Sequence, residues 1–443
     1  MFFIIFHIGI GLLATVFRPA MLLYFVVVVA YFLFRIFKLQ DKQREVLIAA
    51  AYMVGAEVFF RMTKAYFLYE TGKYMVILYL TIGMIYQGFN RKSFVYIVYI
   101  LLLIPGVYVS FLNSEFDARF RQNILFNLSG PLCLSIAALY CYGRSIRLKD
   151  LYTIGNFLVY PLISMTIYVY FYNIDVREVI TGTASTSATS GGFGPNQVST
   201  MLGLGAFILY SRFLLPYKNK LVHLFMMVFL VAFVHRGIIT FSRGGVITAG
   251  IMMVAFTAII FLFAKTRIKL KLWYRIIAVI AVLFAIWSFS VLQTGGLIAN
   301  RYSNQDALGR EKEDVTTGRA ELWTADFQAF AENPVFGVGV GRIRYFYENR
   351  MGIYVASHNE ITRLISEHGV FGILSLILLL SVPLISKAQG RRNIFFYPFL
   401  IFWLLTIAHS SMRIAAPAFI YGLSLLNIKY NEKKPALHRE QTV

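Results

Sequence analysis

Charge is scarce in this chain: 14% of its 443 residues are Asp, Glu, Lys or Arg, against 58% that are apolar. A soluble chain of this length would divide into two or three domains, and so few polar residues cannot cover their surfaces. Acid is scarcer still, with 21 Asp and Glu against 42 Lys and Arg, a formal net charge of +21. Cysteine is almost missing. Cys133 and Cys141 share one apolar stretch, and their spacing puts them about 12 Å apart on a helix, too far for a disulfide. Clusters of His and Cys, Asp-x-Asp pairs, the Walker A sequence and the dinucleotide fingerprint do not occur. Chemistry on this chain is therefore expected to need neither a metal nor a nucleotide. No basic leader precedes Phe2 and Phe3, so no cleavable signal peptide is expected.

What the sequence has in quantity is apolar runs long enough, or nearly so, to cross a hydrocarbon core of about 30 Å. They fall at 2–17, 20–37, 46–61, 74–88, 94–112, 123–142, 151–173, 197–214, 221–237, 244–264, 273–292, 361–385, 394–410 and 413–428. The predicted fold class is an all-α polytopic integral membrane protein with about fourteen transmembrane helices. The first and last runs are short, so twelve to fourteen crossings are expected. Lys and Arg test this count, because cytoplasmic loops are enriched in them. Alternate connections carry the clusters, among them Arg35, Lys38, Lys42 and Arg44; Arg144, Arg147 and Lys149; Lys265 to Arg275; Lys387, Arg391 and Arg392; and Lys429, Lys433, Lys434 and Arg439. Both termini are expected to be cytoplasmic. Orientation and anionic lipid account for the positive excess, and no nucleic-acid partner is expected.

Two outer connections differ from the rest. The first, 174–196, is rich in Thr, Ser and Gly and contains Arg177; the second, 293–360, is far too long and too charged to be a tether. Within it, residues 317–333 place Leu322, Trp323, Phe327 and Phe330 toward one side of a helix, with Glu321, Asp326 and Glu332 elsewhere. That pattern predicts an amphipathic helix lying on the membrane. Pro334 ends it, and Phe336-Gly337-Val338-Gly339-Val340-Gly341 reads either as a flexible loop or as a turn where backbone approaches a ligand. Ser357-His358-Asn359-Glu360 has the spacing of a capping box. It would set His358 in the first turn of the re-entering helix, where the dipole favours a neutral imidazole and attracts anions; the alternative is an ordinary interfacial histidine.

Ser242-Arg243-Gly244-Gly245 places a guanidinium between two transmembrane runs on the outer side, a costly position without an anion or a carboxylate. Arg236, Arg243, Arg319 and Arg413 all fall on that side, and they are expected either to bind phosphate or to pair with Glu57, Glu360 or Glu367. Arg363 with Glu367, and Glu57 with Arg61, have the spacing of structural ion pairs.

Taken in order, Ser242-Arg243-Gly244-Gly245, Gly318-Arg319 with Trp323, Asn333-Pro334-Val335-Phe336-Gly337-Val338-Gly339, His358-Asn359 and Glu367-His368-Gly369-Val370-Phe371-Gly372 resemble the bacterial O-antigen ligase and O-antigen polymerase superfamily. The resemblance covers roughly 197–385. It divides the chain into N-terminal transmembrane helices at 1–196, a ligase- or polymerase-like core at 197–385 that includes the loop 293–360, and C-terminal helices with a basic tail at 386–443.

That resemblance implies an inverting, metal-independent glycosyltransferase of the bacterial inner membrane with its site facing the periplasm. Its donor would be a glycan on undecaprenyl pyrophosphate, and its acceptor another lipid-linked glycan for a polymerase or a lipid A core sugar for a ligase. By motif, His358 takes the role of assisting the acceptor hydroxyl, and Arg243 and Arg319 that of binding the substrate pyrophosphate. Membrane lipids and other polysaccharide-assembly proteins are the expected partners. Two other classes fit the composition: a multi-spanning transporter or flippase of lipid-linked saccharides, with ionisable groups near the bilayer midplane, and a glycan-binding scaffold in which His358 is replaceable.

Overall fold

The computed structural model describes residues 1–113, 118–172, 174–180, 182–214, 220–314, 316 and 318–430. Within them the regular secondary structure is helical apart from two short paired strands and one isolated bridge, Gln305 with Glu311. Eight helices are long and apolar enough to cross a bilayer: Ala20–Leu39, Arg91–Leu112, Phe120–Cys141, Leu148–Tyr172, Lys220–Ile239, Arg243–Phe263, Lys269–Gln293 and Val370–Ala388. Phe2–Val16 and Phe396–Ser410 are shorter apolar helices. The protein is thus an all-α polytopic membrane protein, and the fourteen crossings expected from hydropathy are not reached by that measure among the described residues.

Two of the expected runs depart for visible reasons. The one at 361–385 is broken at Gly369, whose φ of +60° ends Glu360–His368 and begins Val370–Ala388. The one at 413–428 holds only a 9-residue helix, Ala416–Ser424, followed by the strand Asn427–Lys429, which pairs in parallel with Ser145–Arg147. The tail that carries Lys433, Lys434 and Arg439 lies outside the described residues.

Glu45–Met62 is buried along its whole length and forms the centre of the bundle. Its small residues allow this: at Gly55 the Leu158 carbonyl comes so close that a Cβ would collide with it, the mode of helix packing that bilayers favour. The expected Glu57–Arg61 pair forms at 2.6 Å and extends through Glu70 to Lys73, at 2.5 Å from Glu70.

The long connection at 293–360 is a folded element among its described residues. Its helices Leu297–Tyr302, Arg319–Glu332 and Ile343–Met351 include a small core of Leu322, Ala325, Ala329, Ile343 and Tyr347. The buried face of Arg319–Glu332 is therefore not the one expected. Phe327 is exposed, and Asp326 is buried, accepting hydrogen bonds from Tyr347 at 2.5 Å, Thr362 at 2.5 Å and Ser366 at 3.4 Å. The helix packs on Glu360–His368 and Ile343–Met351, whose three hydroxyls, two from the first and one from the second, satisfy a carboxylate that the apolar pattern had assigned to solvent.

The glycine-rich segment also approaches protein rather than ligand. Val338 and Gly339 donate backbone N–H groups to the Ser366 and Glu367 carbonyls at 2.9 and 3.1 Å, and Val370 donates to the Pro334 carbonyl at 2.8 Å. Gly337 and Gly369 both have positive φ, and a Cβ at either would strike backbone across this clasp. The motif residues from Asn333 to Gly339 and from Glu367 to Gly372 thus fasten the loop to the helix that follows it.

Candidate functional site

Ser242-Arg243-Gly244-Gly245 stands where Lys220–Ile239 ends and Arg243–Phe263 begins. Phe241 takes a φ of +58°, an uncommon conformation for a residue with a side chain, so the turn needs support. Ser199 supplies part of it by donating to the Ser242 carbonyl at 3.0 Å, and the Ser242 hydroxyl donates to Asn196 at 2.8 Å. Side chains would not fit at the next two glycines, since Gly245 abuts the backbone of Ser199 and Thr200 while Gly244 abuts the ring of His409. Arg243 thereby becomes the first residue of its helix.

A second arginine closes on the first. Arg243 donates through Nη1 to the Arg301 carbonyl at 3.5 Å, and Arg301 donates through Nε to the Phe241 carbonyl at 3.2 Å. Arg243 braces the backbone of Arg301, Arg301 braces that of Phe241 two residues before Arg243, and their guanidinium groups are neighbours despite like charge. Arg319 joins them as the first residue of Arg319–Glu332, after Gly318 with φ +78°. Burial and the charges of Arg243 and Arg319 push Arg301 below its ordinary value. Burial and Arg243 do the same to Arg319.

His358 lies on the same cluster. Burial first, then Arg413 and Arg319, push its imidazole down to about 4, so it is neutral at neutral pH. Arg413, in the turn between Phe396–Ser410 and Ala416–Ser424, donates to the carbonyls of Ala356 and Ser357 at 3.4 and 3.2 Å. His358 Nδ1 and Arg413 Nε are buried without a hydrogen-bond partner among the described residues.

The capping-box expectation for His358 is overturned. Asn359 is the N-cap, accepting from the Ile361 N–H at 2.9 Å, while Ser357 bonds to Asn359 itself. Glu360 turns to Arg363 instead of back to the cap. His358 therefore precedes the helix, and its neutrality comes from burial and two guanidinium groups rather than from a place in the first turn.

The carboxylates that could have neutralised these arginines are engaged elsewhere. Arg363 pairs with both Glu360 and Glu367, as expected for the latter, and Glu57 holds Arg61 and the Ala415 N–H. Among the described residues, Arg301, Arg319 and Arg413 form no ion pair. Concentrated, partly buried positive charge of this kind is costly unless an anion occupies it.

The structure thus brings Arg243, Arg319, Arg413 and His358 together and adds Arg301 and His409, which the sequence did not single out. Arg301 and His409 carried no motif. Arg413 carried the weak signal of an arginine that the expected orientation puts on the side poor in basic residues. Arg177 is elsewhere, donating to the Leu292 and Gln293 carbonyls at 3.1 and 3.0 Å, where it ties one outer loop to a helix end.

Residues 226–377 match the model of a family described as O-antigen ligase. The matched segment contains Arg243, Arg301, Arg319 and His358, and Arg413 lies beyond it. No curated protein matches the chain.

Proposed function

We propose that this chain, of the O-antigen ligase and polymerase superfamily through residues 226–377, transfers a glycan from undecaprenyl pyrophosphate to a sugar hydroxyl during assembly of a surface polysaccharide. It acts as polymerase or ligase in the bacterial inner membrane, with both termini in the cytoplasm and the site toward the periplasm. The observation that carries this reading is the gathering of Arg243, Arg301, Arg319 and Arg413 around His358, with Glu360 and Glu367 both paired to Arg363.

The chemistry follows from that arrangement. Arg243, Arg301 and Arg319 bind the pyrophosphate and stabilise the charge it gains as it leaves. The acceptor oxygen attacks the anomeric carbon from the opposite face, which inverts the centre. The new C–O bond forms as the bond to the phosphate oxygen breaks, and that oxygen keeps the electron pair. His358 takes the acceptor proton. With an empty site burial first and then two guanidinium groups hold the imidazole weakly basic; the bound pyrophosphate offsets the guanidinium part and makes it a better base at the moment it is needed.

A place for the isoprenoid tail supports the lipid-linked donor. Thr266–Gln293 stands away from its neighbours and leaves apolar cavities of about 620, 460, 480 and 170 Å³ along its length. Shared lining residues, among them Val282, Leu283 and Met253, make these one cleft. At its outer end Trp287 packs edge-on against Tyr302, next in sequence to Arg301, with ring centroids 5.0 Å apart. An apolar cleft that ends beside clustered arginines suits a molecule with a pyrophosphate head and a hydrocarbon tail.

The test is a gel of surface polysaccharide from a strain lacking the protein, complemented with wild type, His358→Ala or Arg243→Ala at matched membrane levels. Wild type should restore the pattern and both variants should fail. Single units on lipid A would then identify a polymerase, and long chains left on the carrier a ligase. Full restoration by both variants would remove the catalytic reading and favour transport or scaffolding.

A further inference from the structure

One polar cavity adjoins this site and has no part in it so far. Arg413, which stands beside His358, has Tyr69 and Arg344 among its electrostatic neighbours, and both line a cavity of about 700 Å³. That volume lies within the usual range of ligand pockets, about 300–1,000 Å³. Its wall joins the loop helix Ile343–Met351 to the outer end of Ala118–Cys141. It shares no lining residue with the apolar cleft.

The lining has a distinct chemistry. Tyr69, Tyr345 and Tyr354 are 46%, 37% and 45% exposed, more than the fold requires of aromatic rings. Tyr345 and Tyr354 meet at 5.4 Å with their planes 64° apart, so the pair forms an angled aromatic wall. Opposite charges and amides surround it. Arg344 lies over the Phe126 ring at 5.2 Å and donates to Asn123 Oδ1 at 3.0 Å. Glu348 and Gln122 are exposed at the rim.

A hydrocarbon chain has no use for those polar groups, and a simple anion would meet the Glu348 carboxylate. A pyranose fits both halves: its C–H face rests on the electron-rich face of an aromatic ring, and its hydroxyls donate to a carboxylate and accept from a guanidinium or an amide. We propose that this cavity is the acceptor subsite, holding the end of a saccharide chain so that a hydroxyl passes Arg413 to reach His358. The assignment rests on the reading of His358 and the arginine cluster given above, and it puts donor and acceptor on separate surfaces that meet at His358.

The test is direct binding by the full chain in lipid nanodiscs, with oligosaccharides released by mild acid from the host strain's own surface polysaccharide as the probe. Wild type should bind them, and the double variant Tyr345→Ala/Tyr354→Ala should bind at least tenfold more weakly. Glu348→Gln, which keeps the side-chain shape, should weaken binding several-fold with unchanged thermal unfolding, and Arg243→Ala should bind as wild type does. Equal binding by wild type and the aromatic double variant would overturn the assignment. So would no binding by wild type at about 10 mM saccharide, weaker than any useful site. Either failure leaves the donor reading standing, since that reading falls only when His358→Ala and Arg243→Ala restore the polysaccharide.

Discussion

Arg413 holds the carbonyl of Ser357 at 3.2 Å, and through this contact a turn near the end of the bundle fixes the backbone next to His358. The same guanidinium adds positive charge beside the imidazole, so it both positions and tunes. Arg413→Ala should lower transfer by about a hundredfold, the usual cost of losing one preorganised electrostatic group. Arg413→Lys should recover only part, because an ammonium cannot reproduce the planar fork. Transfer rates of membranes with matched protein levels check both.

His358 should give the reaction an unusual acid limb. Its folded value near 4 lies below the ordinary 6.5, so the stabilisation linked to the neutral ring is present above 6.5 and is lost as pH falls toward 4. The limb of kcat/KM, which reports the free enzyme, should fall near pH 4. Bound pyrophosphate offsets Arg319 and Arg413, so the limb of kcat should lie higher. A kcat limb at or below that of kcat/KM would contradict this electrostatic account.

Asp326 should make the outer element sensitive to pH in the opposite sense. Burial lifts its carboxyl to about 6 against the opposing bonds from Thr362, Tyr347 and Ser366. A raised carboxyl favours the fold when protonated, so its contribution is full below the ordinary 3.8 and is lost as pH rises through about 6. Protection of Arg319–Glu332 against hydrogen exchange, taken relative to the intrinsic rate at each pH, should therefore fall between about pH 5 and pH 8, and Asp326→Asn should abolish the fall. Asp326→Ala should cost about 1–3 kcal/mol below about pH 5, because it strands buried hydroxyls, and less at higher pH, where the wild type itself loses the protonated carboxyl.

Glycine positions separate backbone strain from collision. Gly369→Ala meets both a positive φ and the carbonyls of Pro334 and Val335, and should lose more than about 1–3 kcal/mol. Gly352→Ala has a similar φ of +69° but open space around it, and should lose only about 1 kcal/mol. Thermal unfolding of the two variants in one detergent compares them directly.

Gly250 tests the apolar cleft. It lines two of the cleft's cavities, and a Cβ there would meet nothing within 4 Å. Gly250→Leu should leave stability nearly unchanged yet raise the donor KM several-fold by filling space meant for the tail. An unchanged KM would place the tail elsewhere.

Much of this architecture could be read from the sequence, and the exceptions have physical causes. Apolar runs and the ion pairs Glu57–Arg61 and Arg363–Glu367 are local features with a fixed spacing, so they were legible. Arg243, Arg319 and His358 could be named because each sits in a short motif. Arg301, His409 and Arg413 join them only through tertiary packing, which no spacing encodes. Asp326 and Asn359 misled for a related reason: a buried carboxylate looks like a surface one until its hydroxyl donors are seen, and two overlapping capping patterns differ only in which backbone N–H is reached. The glycine-rich segment left a flexible loop and a ligand-approaching turn both open, because glycine permits close approach without saying to what.

The most direct measurement of the central claim is product analysis with purified protein in proteoliposomes supplied with undecaprenyl pyrophosphate-linked glycan and acceptor saccharide. The account predicts one undecaprenyl pyrophosphate released for each new glycosidic bond, with both products lost together in Arg243→Ala and His358→Ala. Intact lipid-linked glycan carried across the bilayer with no bond broken, or release that continues unchanged in both variants, would contradict it.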